Sequence, residues 1–280
     1  MQEVTFRQQP EARRLAFPAA PVADFGRPPE EFNMRLAVIS DIHANLAALE
    51  AVLDDIPSKS PDGIINLGDC VSGPLWPKET MELLESRSIP SVRGNHDRWL
   101  SDRPLERLAA SDRFAHDQLG QTWIGKLRDL PATIDVNVEV YAVHGTPTDD
   151  NTYLLEDTGS GRMAPSSRAA VIERLGAAIN RAVVLCGHSH RQSLTQIPGG
   201  PLILNPGTVG CPVSPDNKLA FSLEFRSPHA RYAILTRRRG QWGAELFALP
   251  YDWERAAARA ENVASAAWRD ALTVGSVTRQ

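Results

Sequence analysis

The sequence predicts an α/β fold, and three observations carry that expectation. Short apolar runs of strand length recur along the chain, amphipathic stretches of helical period separate the first of them, and the runs end in polar loops rich in potential ligands. Leu36-Ala37-Val38-Ile39 is the first run, followed by Leu46, Leu49, Val52 and Leu53 at helical spacing. Ile64-Ile65-Asn66-Leu67 repeats the strand signal, Lys78 to Arg87 reads as a second amphipathic helix, and Ile89-Pro90-Ser91-Val92 as a third strand. This is a βαβαβ start, and open sheets of that kind place ligands beyond the carboxyl ends of their strands. Residues 99–128 look helical and are expected to form a cap beside the site, with structural packing alone as the alternative. Tyr141-Ala142-Val143, Ala182 to Leu185 and Leu202-Ile203-Leu204 read as strands of a second half-domain. Arg231 to Thr236 and Trp242 to Ala248 suit a hairpin around Arg239-Gly240, and 253–272 a C-terminal helix.

Residues 1–33 stand apart. Pro10, Pro18, Pro21, Pro28 and Pro29 occur there without helical or strand period, as in a flexible or surface-clinging extension, with a lid or dimer arm as the sharper alternative. A single catalytic domain is expected over residues 34–280.

Composition bounds the function. With 42% hydrophobic and 23% charged residues the chain reads as an ordinary globular protein. A net charge of −4 lacks the basic excess of proteins that grip long nucleic acid, so a nucleic-acid partner is disfavoured. No apolar run approaches the ~20 residues of a membrane span. Cys70, Cys186 and Cys211 form no Cys-x-x-Cys pair or disulfide framework, which fits a cytoplasmic location.

Five loop motifs carry the chemistry. Asp41-x-His43 offers a carboxylate and an imidazole at spacing two, on one side of an extended segment. Gly68-Asp69 supplies a carboxylate able to bridge two cations, and Gly94-Asn95-His96-Asp97 an amide oxygen and an imidazole. His144-Gly145 adds another imidazole, and Gly187-His188-Ser189-His190 a pair at spacing two. Each is weak alone; together, every one follows a predicted strand, and they take five of the seven histidines, leaving His116 and His229 as surface or packing residues.

In this order the five motifs resemble those of the calcineurin-like metallophosphoesterases, from about Met34 to about Ala258. The resemblance implies a four-layer αββα sandwich with two central mixed sheets and a dimetal site on loops at strand ends. It assigns Asp41, His43 and His190 to one metal, Asn95, His144 and His188 to the other, and Asp69 to both. Two divalent cations against two carboxylates leave a net positive site that attracts phosphate. Ligands without thiolate suit Mn, Fe, Zn, Ni or Co. The implied reaction is attack by a dimetal-bridging hydroxide, with His96 as general acid to the leaving group. Asp97 is read either as the carboxylate that orients His96 or as a helix cap, and Arg93 either as a phosphate-holding residue or as a strand-end charge.

The second motif continues Cys70-Val71-Ser72-Gly73-Pro74, where the protein phosphatases of this superfamily carry Asp and Arg in Gly-Asp-x-Val-Asp-Arg-Gly. That departure points to a compact bacterial phosphodiesterase group, which Asn205-Pro206-Gly207-Thr208 and Pro250-Tyr251-Asp252 also resemble. The expected substrate is a small, nucleotide-like phosphodiester. A phosphoprotein or dinucleoside polyphosphate phosphatase is the first alternative, and a non-catalytic protein-binding scaffold the second. Asn205 to Gly210 reads as a structural turn, and Cys70 and Cys186 as small buried hydrophobes.

Overall fold

The computed structural model describes residues 33–159, 162–212, 227–263 and 266–276, so the Pro-rich extension falls outside the described residues apart from Asn33. Two sheets form the centre. In the first, β1 (Met34–Ile39) lies parallel to β2 (Gly63–Asn66) and antiparallel to β10 (Ala230–Arg238), which closes a hairpin with β11 (Gln241–Leu249); the order is β11-β10-β1-β2. In the second, β4 (Val140–Val143), β7 (Val183–Leu185) and β9 (Leu202–Asn205) run parallel, flanked by antiparallel β3 (Thr133–Asp135) and β8 (Ser193–Gln196), in the order β3-β4-β7-β9-β8. A two-stranded ladder of β5 (Glu156–Asp157) and β6 (Ala164–Pro165) stands apart.

Strand alternation explains the layering. Leu36 and Val38 face a shared core with Val183, Leu185, Leu202 and Leu204, which fastens sheet to sheet. Their neighbours Ala37 and Ile39 face α1 (Leu46–Asp55), α2 (Pro77–Ser86) and α4 (Ala110–Asp129). On the far side Val184 and Ile203 pack against Val171 and Leu175 of α5 (Arg168–Leu175). Helices, sheet, sheet and helix thus form the expected four layers.

Two expectations need correction. Ile89–Val92 is not a strand: Ser91 makes a single parallel bridge to Asn66, held by Asn66 N–H to the Pro90 carbonyl at 2.9 Å and Val92 N–H to the Asn66 carbonyl at 2.9 Å. Pro90 has no N–H to extend the ladder, and the chain turns at Gly94. The C-terminal stretch is two helices, α6 (Trp253–Val263) and α7 (Ala266–Val274), packed on each other. A straight 20-residue helix would run about 30 Å; as two helices, α7 buries Trp268 and Leu272 in one cluster with Ala256, Ala257 and Ala260. Residues 99–128 combine the two alternatives, packing at one end and lining the site at the other. α3 (Asn95–Asp102) leads through a short 3₁₀ turn into α4, whose backbone breaks at Gly120 (φ 68°). Its Ala115, Leu119, Ile124 and Leu127 belong to the main core, while its N-terminal end reaches the site. Among the described residues no helix is long and apolar enough to cross a membrane.

Candidate metal centre

The ligand-bearing loops are not extended. Asp41, His43, Asp69, His188 and His190 have φ of 54°, 49°, 53°, 64° and 61°, a left-handed backbone that side-chain-bearing residues adopt only when their surroundings impose it. Here the surroundings do. Asp41 N–H donates to the Gly68 carbonyl (2.9 Å), His43 N–H to that of Asp69 (3.0 Å), and His188 N–H to Asp41 Oδ2 (3.1 Å). The Asp69 and Gly94 loops touch so closely that a Cβ on Gly94 would lie 2.2 Å from Asp69 Oδ1. Gly68, at φ 101°, meets the same strand-end loop, where a Cβ would be 2.5 Å from Gly94 N.

The side chains form two groups, Asp41 with His43 and His190, all buried, and Asp69 with His144 and the half-buried His188. Asp69 faces both, its Oδ2 lying 3.8 Å from His43 Nε2 and 3.4 Å from His144 Nε2. Asn95 Oδ1 completes the second group at 2.9 Å from His144 Nε2. All seven residues expected as ligands are therefore brought together.

The hydrogen bonds show what fits between them. His43 Nδ1 meets the Ser72 carbonyl (3.0 Å), His144 Nδ1 that of Leu67 (2.8 Å), and His190 Nδ1 that of Cys211 (2.5 Å). Carbonyls only accept, so each Nδ1 carries a hydrogen and each Nε2 faces inward, bare whenever its ring is neutral. Two such nitrogens, of His43 and His190, stand 3.1 Å apart, and Asp41 Oδ1, buried without a hydrogen-bond partner, is 3.3 Å from His190 Nε2. Ligand atoms brought face to face in this way fit a cation between them. Burial, with the His190 ring second, pushes His43 down to about 4, and burial with His144 pushes His188 to about 3, which favours neutral ligands. At His144 burial opposes the charged form, but the Asp69 carboxylate overcomes it and raises the ring to about 10. His188 is turned the other way, with Nε2 3.1 Å from the Asn151 carbonyl, leaving Nδ1 for the site.

His96 stands outside both groups, and its partners are not those expected. Its Nδ1 lies 3.0 Å from Asp112 Oδ1 and 2.9 Å from Ser72 Oγ, and Ser72 donates to the same Asp112 oxygen at 2.5 Å. Burial works against a proton on His96, yet Asp69 and Asp112 raise it to about 9. Asp97 does not touch His96. Its carboxylate accepts the N–H groups of Asp69 (2.9 Å), Cys70 (2.9 Å) and Gly94 (3.0 Å), capping α3 and tying two ligand loops together. Asp112 escaped the sequence reading because an acid in the first turn of a helix has a sufficient local explanation in the helix dipole.

Arg93 is also placed elsewhere. Its Nη1 donates to the Arg128 carbonyl at 3.0 Å, and it is not among the residues that line the cavity. The Asn205–Gly210 turn braces the first loop from below, with Thr208 Oγ1 donating to the Asp41 carbonyl at 2.6 Å. Cys70 and Cys186 are buried, which pushes both thiols well above their ordinary range and suits packing rather than ligation.

Above the ligands opens a cavity of about 770 Å³. Tyr153 stacks on His188 with centroids 4.3 Å apart, and Trp99 packs on His96 at 4.4 Å, so each wall carries one aromatic ring beside one site imidazole. Arg103, Arg107 and Asp112 line the helical wall, Glu156 the opposite one.

A model of the calcineurin-like phosphoesterase superfamily domain matches residues 34–227, and the chain belongs to that family. It is thereby a metallophosphoesterase, of a class of metal-dependent phosphoester hydrolases. The chain is similar in structure to a metallophosphoesterase from Sphaerobacter thermophilus, at 26% identity and TM-score 0.66, covering 87% of this chain and all of that one. A hypothetical protein from Pyrococcus horikoshii shares the fold, at 16% identity and TM-score 0.68 over 87% of this chain and 99% of the other. An uncharacterised protein of Methanocaldococcus jannaschii is 50% identical over 62 residues, 22% of this chain and only 26% of its own length.

Proposed function

We propose that this chain hydrolyses small phosphodiesters, nucleotide-like ones among them, at a pair of divalent transition-metal ions. The observation that carries the proposal is the convergence of ring nitrogens and carboxylate oxygens from two sides on the buried Asp69 carboxylate, with the His43 and His190 Nε2 atoms only 3.1 Å apart. Asp41, His43 and His190 would hold one ion, Asn95, His144 and His188 the other, and Asp69 both. When bound, such ions supply Lewis-acid activation of water and of the phosphoryl group. Mn, Fe, Zn, Ni and Co all suit these donors, and Mn is the first to test.

The chain's own residues do the rest. His96, with Nδ1 held by Asp112 and Ser72, offers Nε2 to the leaving-group oxygen as proton donor. Its elevated proton affinity keeps that donor loaded at neutral pH. Asp112 is a positioning residue that fixes the ring and favours its charged form. The presence of His96 in an ordered network argues against a purely scaffolding role, and Ser72 in place of an Asp argues against phosphoproteins.

The test is hydrolysis of bis(p-nitrophenyl) phosphate and p-nitrophenyl phosphate by purified, Mn-loaded protein. Turnover of the diester above that of the monoester is expected. Turnover of neither, with two metal equivalents bound, would sink the proposal.

A further inference from the structure

The helical wall of the cavity presents one row of side chains. His96, Trp99 and Arg103 follow at spacings of three and four on and just past α3, so they share a face. The row is packed throughout: Trp99 lies against His96, and the Arg103 guanidinium sits over the Trp99 ring 3.7 Å from its centroid. Stacking of this kind holds a guanidinium in place while leaving its N–H edge free.

The other arginines nearby are differently employed. Arg98 grips Asp150 through two contacts of 2.7 Å, and Arg174 is tied to the Leu154 and Glu156 carbonyls, Ser166 and Asp157. Arg103 lines the cavity with no ion pair among the described residues, and Arg107 lines the same mouth in the same state. A pre-positioned guanidinium without a carboxylate, opening on a phosphate-binding cavity, is suited to a second oxyanion.

We infer that Arg103, seated on Trp99, recognises a second phosphate carried by the leaving group, so that the preferred substrates are phosphoesters whose departing alcohol is itself phosphorylated. The side is set by His96: the group that protonates the leaving oxygen begins the row that Arg103 ends. Arg107 adds charge at the mouth and plays the lesser part. This rests on the reading of the centre as a phosphoester site.

The experiment is calorimetric binding of adenosine 5′-monophosphate and adenosine 3′,5′-bisphosphate to the Mn-loaded protein, with Arg103→Ala, Arg103→Lys and Arg107→Ala beside the unaltered chain. The bisphosphate is expected to bind ~10-fold tighter or better, the size of one guanidinium–phosphate contact. Arg103→Ala should reduce that ratio to under ~3 with monophosphate affinity unchanged, Arg103→Lys should keep part of it, and Arg107→Ala should lower it less. Arg103 is exposed, so the variants should fold as the parent does, which circular dichroism confirms. Equal affinity of the parent for both ligands, or a ratio that survives Arg103→Ala, overturns the inference. An intact ratio in a protein that fails to cleave bis(p-nitrophenyl) phosphate would sink the proposed diesterase and leave this inference standing.

Discussion

Around Asp69 nearly every polar atom is committed. Its Oδ1 accepts the His96 N–H at 2.9 Å, its own N–H goes to Asp97, and the Gly94 backbone leaves no room beside it. Across the cavity the helical wall is built otherwise: His96 is braced by Asp112 from another helix, while Arg103, stacked on Trp99, and Arg107 line the mouth without an ion pair among the described residues. The ligand side is rigid because cations require a fixed donor geometry, and five of its seven ligands tolerate a left-handed backbone to provide it. The helical side needs a fixed point only at His96, and beyond that its chemistry faces whatever the substrate brings.

Substitutions can break this contrast, beginning on the rigid side. Asp69→Asn should abolish activity, at least ~10³-fold, and release both metals, because the two half-sites share that carboxylate; plasma mass spectrometry of the dialysed protein reads the metal loss, and a variant with full metal content would refute the bridging role. Gly94→Ala comes next: its Cβ has no space against Asp69, so destabilisation of about 1–3 kcal/mol in urea melts should accompany the loss of activity. On the other wall His96→Ala should keep its metals and slow esters with poor leaving groups by ~100-fold, with little effect on p-nitrophenolate leaving groups. Asp112→Asn should show the same leaving-group pattern at roughly 10-fold. A metal-depleted His96→Ala would mean that the two walls are not separable.

The smallest expected effect lies far from the centre and calibrates the rest. Tyr232 donates to Asp55 Oδ2 at 2.5 Å, and that bond is the first cause holding the Asp55 carboxyl below its ordinary value. A depressed carboxylate stabilises the fold above its unfolded pKa, near 4, and loses that contribution as pH falls through the lower folded value. Tyr232→Phe should therefore cost about 1 kcal/mol at pH 7 and less once the pH has fallen through the lower folded value, with activity unchanged.

The same contrast explains what the sequence discloses. The rigid side is written in short motifs, most of them after apolar runs and beside a glycine that permits a tight turn, and for that reason the seven positions that converge there are legible as candidate ligands. His96 was legible by adjacency to Asn95. Its support was not, because Asp112 arrives 16 residues later from a helix whose local pattern is fully explained by packing. Of the two readings open for Asp97, the helix cap is the one the structure shows; sequence proximity could not choose it, because it does not reveal that the carboxylate points back to the Asp69 and Cys70 amides. Arg93 was read either as a phosphate-holding residue or as a strand-end charge, and its guanidinium faces the Arg128 carbonyl. The strand over Ile89–Val92 and the single C-terminal helix failed on length and on tertiary packing, neither of which local periodicity records.

The seat of Asp112 has a consequence for redesign. It lies in the first turn of α4, only five residues beyond the 3₁₀ turn that carries Arg107. A graft that replaced this stretch to admit a bulkier ester would carry away the carboxylate that steadies His96. On the proposed function, selectivity and turnover would be inherited as one cassette, and an engineered swap should transplant the aspartate together with the new mouth.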